Sequence, residues 1–252
     1  MEDKVNILDV FISRYNLHET LQRFTEALQN GERLRVAVTP VNCILWAAKD
    51  KKLKHIYNTA DIVTADGVPV VWASKLLGKP VKGRVTGLDV LPEFSKIAAN
   101  KAYSFFLLGA AEGVGEKLAQ TLRKSSPDLN IAGVYSPPFA ESYSDEENQN
   151  IINMINESGA DVLWVSLTAP KQDFWIAEHF DRLNVSIAIG VGAAFDVISG
   201  NVKRSPKWMQ KSGLEWFYRF SQEPKRLFYR YFIEAPRFIP LVLKQALKKP
   251  KQ

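Results

Sequence analysis

Residues 161–196 have the sequence DVLWVSLTAPKQDFWIAEHFDRLNVSIAIGVGAAFD, in which two short apolar runs flank an amphipathic stretch. The runs at 161–167 and 185–189 are short enough for buried strands, and the pattern over 171–183 predicts a helix between them. Two strands joined by a crossover of this length pair in parallel. The segment therefore predicts a strand–helix–strand unit.

The same alternation continues along the chain. Further apolar runs suited to strands lie at 34–38, 61–64, 103–108 and 130–134. Helical patterns lie between the runs, at 43–54, 88–100, 115–124 and 145–157. Alternation of this kind predicts an α/β protein with a Rossmann-like, doubly wound, mostly parallel sheet that is covered by helices on both faces.

Length and composition set limits on the kind of protein. With 252 residues, of which 46% are hydrophobic, the chain can bury one large core. Its single cysteine, Cys43, excludes an intrachain disulfide and any multi-cysteine metal site, which fits a reducing compartment. The N-terminus lacks the pattern of a secretory signal, and the apolar stretch 238–247 is interrupted by Pro240 and Lys244. We therefore expect a cytoplasmic protein whose membrane contact is peripheral, at the inner face.

The charge changes near residue 203, and on this basis we expect a core at 1–202 and a helical, basic appendage at 203–252. The appendage contains thirteen Lys or Arg against three Asp or Glu, whereas the core contains twenty against twenty-four. Ten of the 28 aromatic residues also lie in the appendage. Positive charge with aromatic side chains suits a lipid phosphate or a nucleic acid. A helical cap with a solvated basic face would have the same composition.

Ligands of parallel sheets bind at the carboxyl ends of the strands, so the residues that follow each run are candidates for a site. Five runs are followed by polar residues or glycines. These are Thr39 and Asn42; Asp66 and Gly67; Gly109, Glu112 and Gly113; residues 168–172; and residues 190–196, with Gly190, Gly192 and Asp196. We expect the five loops to converge on one edge of the sheet.

Two charged residues, one in these loops and one outside them, favour a chemical role. Asp66 follows a strand and precedes a glycine, and such a carboxylate can act as a general base or cap the next helix. Arg84 lies between Gly83 and Gly87, where its guanidinium can grip a phosphate or carboxylate or form a structural ion pair. The residues alone leave both pairs of alternatives open.

The glycine-rich loop 109–115 follows a strand and opens a helix, which favours contact between backbone N–H groups and a phosphate. Its spacing is not that of the dinucleotide fingerprint, so an NAD-dependent dehydrogenase is disfavoured, and a tight turn is the alternative. Gln172 can bond a sugar hydroxyl or face water at the start of a helix. Asp196 can bind ligand or cap a helix.

The sequence supports no metal site. It contains no Asp-x-Asp pair, and its three histidines are scattered over helical segments. It also lacks a nucleophile elbow and a P-loop, which weakens hydrolase and kinase interpretations. We expect neither a metal nor a cofactor.

The motifs taken together resemble the WecG/TagA/CpsF glycosyltransferases over about residues 34–231. The matching motifs are Thr39 with Asn42, Ala65-Asp66-Gly67, Gly83-Arg84-Val85-Thr86-Gly87, residues 108–113, Ala169-Pro170-Lys171-Gln172, residues 190–196 and Leu214-Glu215-Trp216-Phe217-Tyr218-Arg219. They occur in order and with plausible spacing, so the set is far more specific than any single motif.

The resemblance implies an inverting, metal-independent transferase that moves a sugar from a UDP-sugar donor to a polyprenyl-diphosphate-linked sugar acceptor. Such enzymes work at the cytoplasmic membrane face in the synthesis of bacterial cell-surface polysaccharide or teichoic acid. In the best-known members the donor is UDP-N-acetylmannosamine or its uronic acid, and the acceptor carries N-acetylglucosamine on undecaprenyl diphosphate. A nucleic-acid partner is not implied, and a homo-oligomer is possible.

The resemblance also implies roles for individual residues. Asp66 falls on the catalytic base, and the donor or acceptor pocket falls on Thr39, Asn42, Arg84 and Gln172. The appendage that closes the site at the membrane supplies Arg219, Arg226 and Arg230, with Trp216 at the membrane interface. These arginines would share one helix face, although Pro224 argues against an unbroken helix.

Two departures from the family pattern leave the sugar open. Ser166-Leu167-Thr168 stands where Gly-Leu-Gly is usual, and Asp173 replaces the usual Glu. Two other classes remain as alternatives: a nucleotide-dependent oxidoreductase of the same fold class, and a nucleic-acid-binding protein that uses the basic appendage.

Overall fold

A computed structural model describes residues 3–248. Its main feature is a sheet of six strands: β3 Leu34–Pro40, β4 Ile62–Asp66, β5 Ser104–Gly109, β6 Asn130–Tyr135, β7 Val162–Ser166 and β8 Ile187–Gly190. The strand order is β4-β3-β8-β7-β5-β6, and every neighbouring pair is parallel. The predicted α/β, Rossmann-like, doubly wound fold is confirmed.

Helices cover both faces of this sheet. The core helices are α1 Leu17–Asn30, α2 Val41–Ala47, α3 Lys51–Asn58, α4 Val68–Leu76, α5 Gly87–Lys101, α6 Val114–Ser125, α7 Asp145–Ser158, α8 Lys171–His179 and α9 Ala194–Ile198. On one face α1, α5, α6 and α9 bury a cluster in which the Phe94 ring stacks on Phe105, with a centroid distance of 6.0 Å. On the other face α2, α3, α4, α7 and α8 bury two further clusters. The near-continuous apolar runs of the strands therefore reflect burial on both sides.

Two features differ from the sequence-based expectation. The helix predicted over 43–54 is two helices, because Asp50 caps a new one and accepts hydrogen bonds from the backbone N–H groups of Lys52 and Leu53. An antiparallel hairpin, β1 Lys4–Ile7 with β2 Val10–Ser13, precedes α1. Its turn uses Leu8 and Asp9 at φ 51° and 66°, without the glycine or asparagine that usually marks such turns in a sequence.

The appendage is mainly helical over residues 203–248, and residues 249–252 lie outside the described part of the chain. Its elements are α10 Lys207–Ser212, α11 Glu215–Gln222, α12 Pro224–Phe228, a π-helical turn Tyr229–Glu234, a 3₁₀ turn Ala235–Arg237 and α13 Phe238–Lys248. The break between α11 and α12 falls at Pro224, as the sequence predicted. Across residues 3–248, none of the helices has the length and apolar character needed to cross a membrane.

The end of the appendage packs against the start of the chain. Phe238 and Val242 of α13 are each 3% exposed, in the hydrophobic cluster that also contains the β1–β2 hairpin. Gln245 accepts a hydrogen bond from the backbone N–H of Leu8 at 2.8 Å and donates one to the carbonyl of Asn6 at 2.9 Å. The last described helix is therefore fixed to the core, whereas the division of the chain into two domains stays a prediction.

Candidate active site

Because all six strands are parallel, their carboxyl ends lie at one edge, and the five candidate loops lie along it. Asp66 ends β4 and Gly109 ends β5, and these strands are four positions apart in the sheet. At ~4.8 Å per strand the two residues are roughly 19 Å apart. The loops therefore form an elongated site in which Asp66 lies near one end and the glycine-rich loop near the other.

Asp66 is placed by strand pairing and by a turn that requires glycine. The register pairs Asp66 with Pro40, so its neighbour in the sheet is the end of β3. Gly67 follows at φ 105°, a conformation that L side chains rarely adopt, and it occupies the N-cap position of α4. Within the described chain α4 has no side-chain cap, so the carboxylate of Asp66 is not used to cap that helix.

The electrostatic surroundings of Asp66 tune its acidity. Burial raises the pKa of this carboxyl to about 6, although the positive charges of Arg84, Arg219 and Arg230 oppose the shift. A carboxyl with a pKa near neutrality can take a proton from a substrate and release it afterwards. This is the tuning expected of a general base.

Thr39 and Asn42 lie beside Asp66, at the end of β3 and in the first turn of α2. The Thr39 side chain is fully buried, and its hydroxyl lies 3.4 Å from the carbonyl oxygen of Ala37, to which it donates. Asn42 is 3% exposed, and its Oδ1 accepts a hydrogen bond from the guanidinium of Arg230. An appendage arginine thus reaches the loop next to Asp66.

Arg84 forms ion pairs in this structure. Its Nη1 lies 2.7 Å from Oε2 of Glu215 in the appendage, and its Nη2 lies 3.5 Å from Oδ2 of Asp89. The structural ion pair considered from the sequence is therefore present. Contact between Arg84 and a phosphate stays a prediction, and it would require Arg84 to exchange or share these partners.

Gln172 holds the loop after β8. Its side chain is 2% exposed, and its Oε1 accepts a hydrogen bond from the backbone N–H of Gly192 at 3.0 Å. A Cβ added at Gly190 would lie 2.6 Å from Gln172 Nε2, so only glycine permits this approach. Gln172 does not face water, and its contact with a sugar stays a prediction.

The loop after β5 is shaped by its glycines. Gly109 has φ 105°, and a Cβ there would lie 2.5 Å from the carbonyl oxygen of Ser166. Gly113 has φ 78° and caps α6, while Glu112 is exposed. Tight turning explains these glycines, and contact with a nucleotide stays a prediction.

The Ser166-Leu167-Thr168 segment carries backbone strain at the end of β7. Thr168 has φ 62°, which is unfavourable for a β-branched residue and costs glycine little. Ser166 donates a hydrogen bond from its Oγ to the carbonyl oxygen of Gly192 at 2.6 Å. The serine is therefore used to tie this loop to the loop after β8.

Asp196 and the appendage arginines lie together. Burial raises the pKa of Asp196, and the charges of Arg226 and Arg219 oppose that shift. Asp196 lies in the first turn of α9, whose N-cap position is Ala193, and its carboxylate accepts a hydrogen bond from its own backbone N–H. Its contact with a ligand stays a prediction.

The guanidinium groups of the three appendage arginines differ in their partners. Arg226 is largely exposed and pairs with Glu223 in the same segment, whereas Arg230 is engaged by Asn42. Arg219 differs, because its Nε is buried and has no hydrogen-bond partner among residues 3–248. A buried guanidinium nitrogen without an acceptor is costly, and contact of Arg219 with an anionic ligand stays a prediction.

Trp216 belongs to an exposed aromatic surface. Its ring packs edge-on against Phe217, Tyr231 and Phe232, with centroid distances of 5.8, 5.7 and 6.2 Å. Trp216 itself is 41% exposed, and Phe217 is 52% exposed. Large apolar side chains exposed beside basic residues are typical of a surface that contacts a partner or a membrane.

Sequence reasoning missed a buried hydrogen-bonded chain behind Asn42. Asn42 Nδ2 lies 3.8 Å from the sulfur of Cys43, and Cys43 shares a hydrogen bond with Tyr57. The hydroxyl of Tyr57 donates to Asp173 Oδ2 at 3.1 Å. Asp173, the position where the family usually has Glu, is 4% exposed and is the last member of this hydrogen-bonded chain.

We expect Asp173→Asn to stabilise the protein at high pH. Burial raises the pKa of Asp173 to about 7, above the value in an unfolded chain, so the folded state binds this proton more tightly. The stability that it contributes is present at low pH and is lost as the pH rises through 7. Thermal unfolding should show a larger gain for Asp173→Asn at about pH 8 than at about pH 5. An equal gain at both values, or the same pattern in the surface variant Asp128→Asn, would contradict this account.

The described residues contain no group of three or more His, Cys, Asp or Glu side chains that could hold a metal ion. The site contains carboxylates and arginines, and the charge of Arg219 acts on both Asp66 and Asp196. A concentration of positive charge suits an anionic ligand.

Fold and site together define an α/β enzyme. A carboxyl with a pKa near neutrality and several arginines lie at the carboxyl edge of a parallel sheet, where proteins of this architecture bind ligands. The sequence profile of the glycosyl transferase WecG/TagA/CpsF family matches residues 5–252. The chain belongs to this family, and the resemblance predicted from its motifs is confirmed.

Three relatives share the name N-acetylglucosaminyldiphosphoundecaprenol N-acetyl-beta-D-mannosaminyltransferase. The relative from Bacillus spizizenii W23 is 32% identical over 81% of this chain and 77% of its own length. The relative from Bacillus subtilis 168 is 30% identical over 92% of this chain and 90% of its own length. The relative from Staphylococcus aureus MRSA252 is 28% identical over 89% of this chain and 87% of its own length.

Proposed function

We propose that this protein is an inverting, metal-independent glycosyltransferase. It transfers N-acetylmannosamine or a related hexose from a UDP-sugar to a polyprenyl-diphosphate-linked sugar, in the synthesis of bacterial cell-surface polysaccharide or teichoic acid. The observation that carries the proposal is Asp66, a carboxyl with a pKa of about 6 surrounded by Arg84, Arg219 and Arg230. The substrate class is supported by the relatives, whose name specifies a diphosphoundecaprenol-linked acceptor.

The proposed chemistry is a single displacement. Asp66 takes the proton from a hydroxyl of the acceptor sugar as that oxygen attacks the anomeric carbon on the face opposite UDP. The new glycosidic bond forms while the bond to the diphosphate breaks, and the bonding electrons leave with UDP. The configuration at the anomeric carbon is inverted, and the proton remains on Asp66 until solvent removes it.

The charge on the leaving diphosphate must be stabilised by groups of the protein. Arg219 supplies a buried nitrogen without a partner in the described chain, and Arg226 and Arg230 lie in the same appendage. Preorganised donors that meet developing charge lower the barrier to reaction. Thr39, Asn42, Arg84, Gln172 and Asp196 are assigned to the donor or acceptor substrate, and the loops at Gly109–Gly113 and Gly190–Gly192 to the nucleotide.

The acceptor is anchored in a membrane, so the appendage has a second proposed role. Its exposed aromatic residues include Trp208, which is 63% exposed, and Tyr229, which is 60% exposed. Aromatic and basic side chains together favour the interface of an anionic bilayer. We place the protein at the inner face of the cell membrane, bound peripherally.

We expect activity to fall as the pH is lowered through about 6. The base must be deprotonated to accept the proton, and burial raises the pKa of Asp66 to about 6. The measurement is kcat/KM across a pH series, with each sample returned to neutral pH to check recovery. A profile that stays flat down to pH 5 would contradict the assignment.

The function itself is tested by a transfer assay. A panel of UDP-sugars is incubated with a short-chain polyprenyl-diphosphate N-acetylglucosamine acceptor, and the product is analysed for anomeric configuration. Inverted product from one donor supports the proposal, and retained configuration contradicts it. A thermal shift with NAD and none with UDP would favour an oxidoreductase, and salt-sensitive binding of RNA or DNA would favour a nucleic-acid-binding protein.

A further inference from the structure

Four charged side chains join the core to the appendage. Arg84 and Asp89 come from the core, and Arg204 and Glu215 come from the appendage; we call these four residues the ion-pair ring. Arg84 lies 2.7 Å from Glu215 and 3.5 Å from Asp89. Arg204 lies 3.7 Å from Glu215 and also pairs with Asp89. Each arginine therefore contacts both carboxylates, and the ring is neutral.

The ring is better shielded from water than the Arg226–Glu223 ion pair of the appendage. Its side chains are 15% to 29% exposed, whereas Arg226 in the pair with Glu223 is 58% exposed. Exposed pairs contribute little because water and salt screen them, and shielded pairs are screened less. Removing one member of a shielded cluster leaves the remaining charges unbalanced, which costs more than an exposed pair contributes.

Further hydrogen bonds fix the ring on the core side. Asp89 Oδ2 accepts a hydrogen bond from the hydroxyl of Thr86 at 3.0 Å. Arg204 donates from Nη1 to the carbonyl oxygen of Leu88 at 3.3 Å. The core half of the ring therefore lies on the start of α5, which is packed into the hydrophobic core by Val90 and Leu91.

The appendage half of the ring sets the position of α11. Glu215 is the first residue of α11, and Arg219 lies four positions further on, so both side chains project from the same face. Glu215 contacts Arg84, and the charges of Arg84, Arg219 and Glu215 all act on Asp66. The ring therefore fixes the helix that brings the unpartnered nitrogen of Arg219 to the site.

We propose that Asp89, Arg204 and Glu215 are positioning residues, which hold α11 on the core so that Arg219 faces Asp66. None of the three is assigned a contact with the reacting atoms. The kinetic part of this inference rests on the proposed function. Its structural part, the docking of α11, can be measured without any substrate.

The test uses Glu215→Gln, Arg204→Gln and the double variant in the full-length protein. The matched control is Glu93→Gln, which removes an exposed ion pair with Lys96 on the same helix as Asp89. Hydrogen exchange of the α11 amides is compared with that of α7, and kcat/KM is measured with a short-chain acceptor. Circular dichroism verifies that each variant is folded. If Arg204→Gln does not fold, Arg204→Lys provides a milder change at the same position.

Each single ring variant should speed exchange in α11 about tenfold or more, lower kcat/KM and leave exchange in α7 unchanged. Exchange in α11 and kcat/KM of the double variant should differ little from those of the more severe single variant, because the four charges act as a unit. The α11 exchange rate and kcat/KM of Arg204→Lys should lie between those of wild type and Arg204→Gln, since lysine keeps the positive charge but lacks the planar guanidinium.

Three results would overturn the proposal: unchanged exchange in α11, faster exchange with unchanged kcat/KM, or single effects that multiply in the double variant. Failure of the proposed function would be distinct. In that case wild type would transfer no sugar from any UDP-sugar, while exchange in α11 would still respond to the ring variants.

Discussion

Replacing Asp66 with asparagine should lower kcat by about a hundredfold or more, while UDP-sugar binding stays close to that of wild type. The amide has nearly the same shape as the carboxylate but cannot accept the proton of the attacking hydroxyl. The loss of a negative charge close to Arg84, Arg219 and Arg230 does not weaken binding of an anionic donor. Transfer assays and calorimetric titration of the donor measure the two effects separately.

Two controls make the Asp66→Asn result specific. Asp128→Asn removes a carboxylate from an exposed position and should leave kcat unchanged. The acid limb in the pH profile of the wild type should also disappear from the residual activity of Asp66→Asn. Turnover close to that of wild type would exclude Asp66 as the base.

Removal of residues 203–252 should abolish transfer to lipid-linked acceptors and binding to anionic liposomes. The truncation deletes Arg219, Arg226 and Arg230, and it also removes Phe238 and Val242 from the hydrophobic cluster around the β1–β2 hairpin. Without the appendage the leaving diphosphate would lose its cationic partners, and the core would lose its contact with the membrane. Liposome flotation and the transfer assay measure the two losses.

A second variant separates membrane binding from catalysis. Trp208→Ser with Phe217→Ser removes two aromatic side chains that are 63% and 52% exposed and leaves the arginines in place. This variant should bind liposomes more weakly than wild type yet still use a water-soluble acceptor. Full liposome binding by the truncated protein would show that the appendage is not the anchor.

The sequence predicts the sheet well because buried parallel strands have a strong local signal. Runs such as 161–167 are almost entirely apolar and are bounded by glycine or polar residues, so their number and direction can be inferred without contacts. The carboxyl-edge position of Asp66 follows from the same pattern. The hairpin around Leu8 and Asp9 was missed because its turn lacks the usual residues.

The electrostatic partners at the site could not be predicted from local patterns. Arg84 and Glu215 are separated by 131 positions, and Tyr57 and Asp173 by 116. No periodicity connects residues so far apart, and only the folded chain brings them together. For this reason the sequence left the ion-pair and phosphate-binding roles of Arg84 as alternatives, and it gave no sign that Asp173 lies behind the pocket.

The appendage is fastened to the core at both ends, by Arg204 on Asp89 and by Phe238 and Val242 beside the hairpin. The segment between these anchors, which carries Arg219, Arg226 and Arg230, is consequently a tether rather than a free arm. A tethered group samples a small volume, so its effective concentration at the site is high and the entropy lost when it closes over a substrate is small.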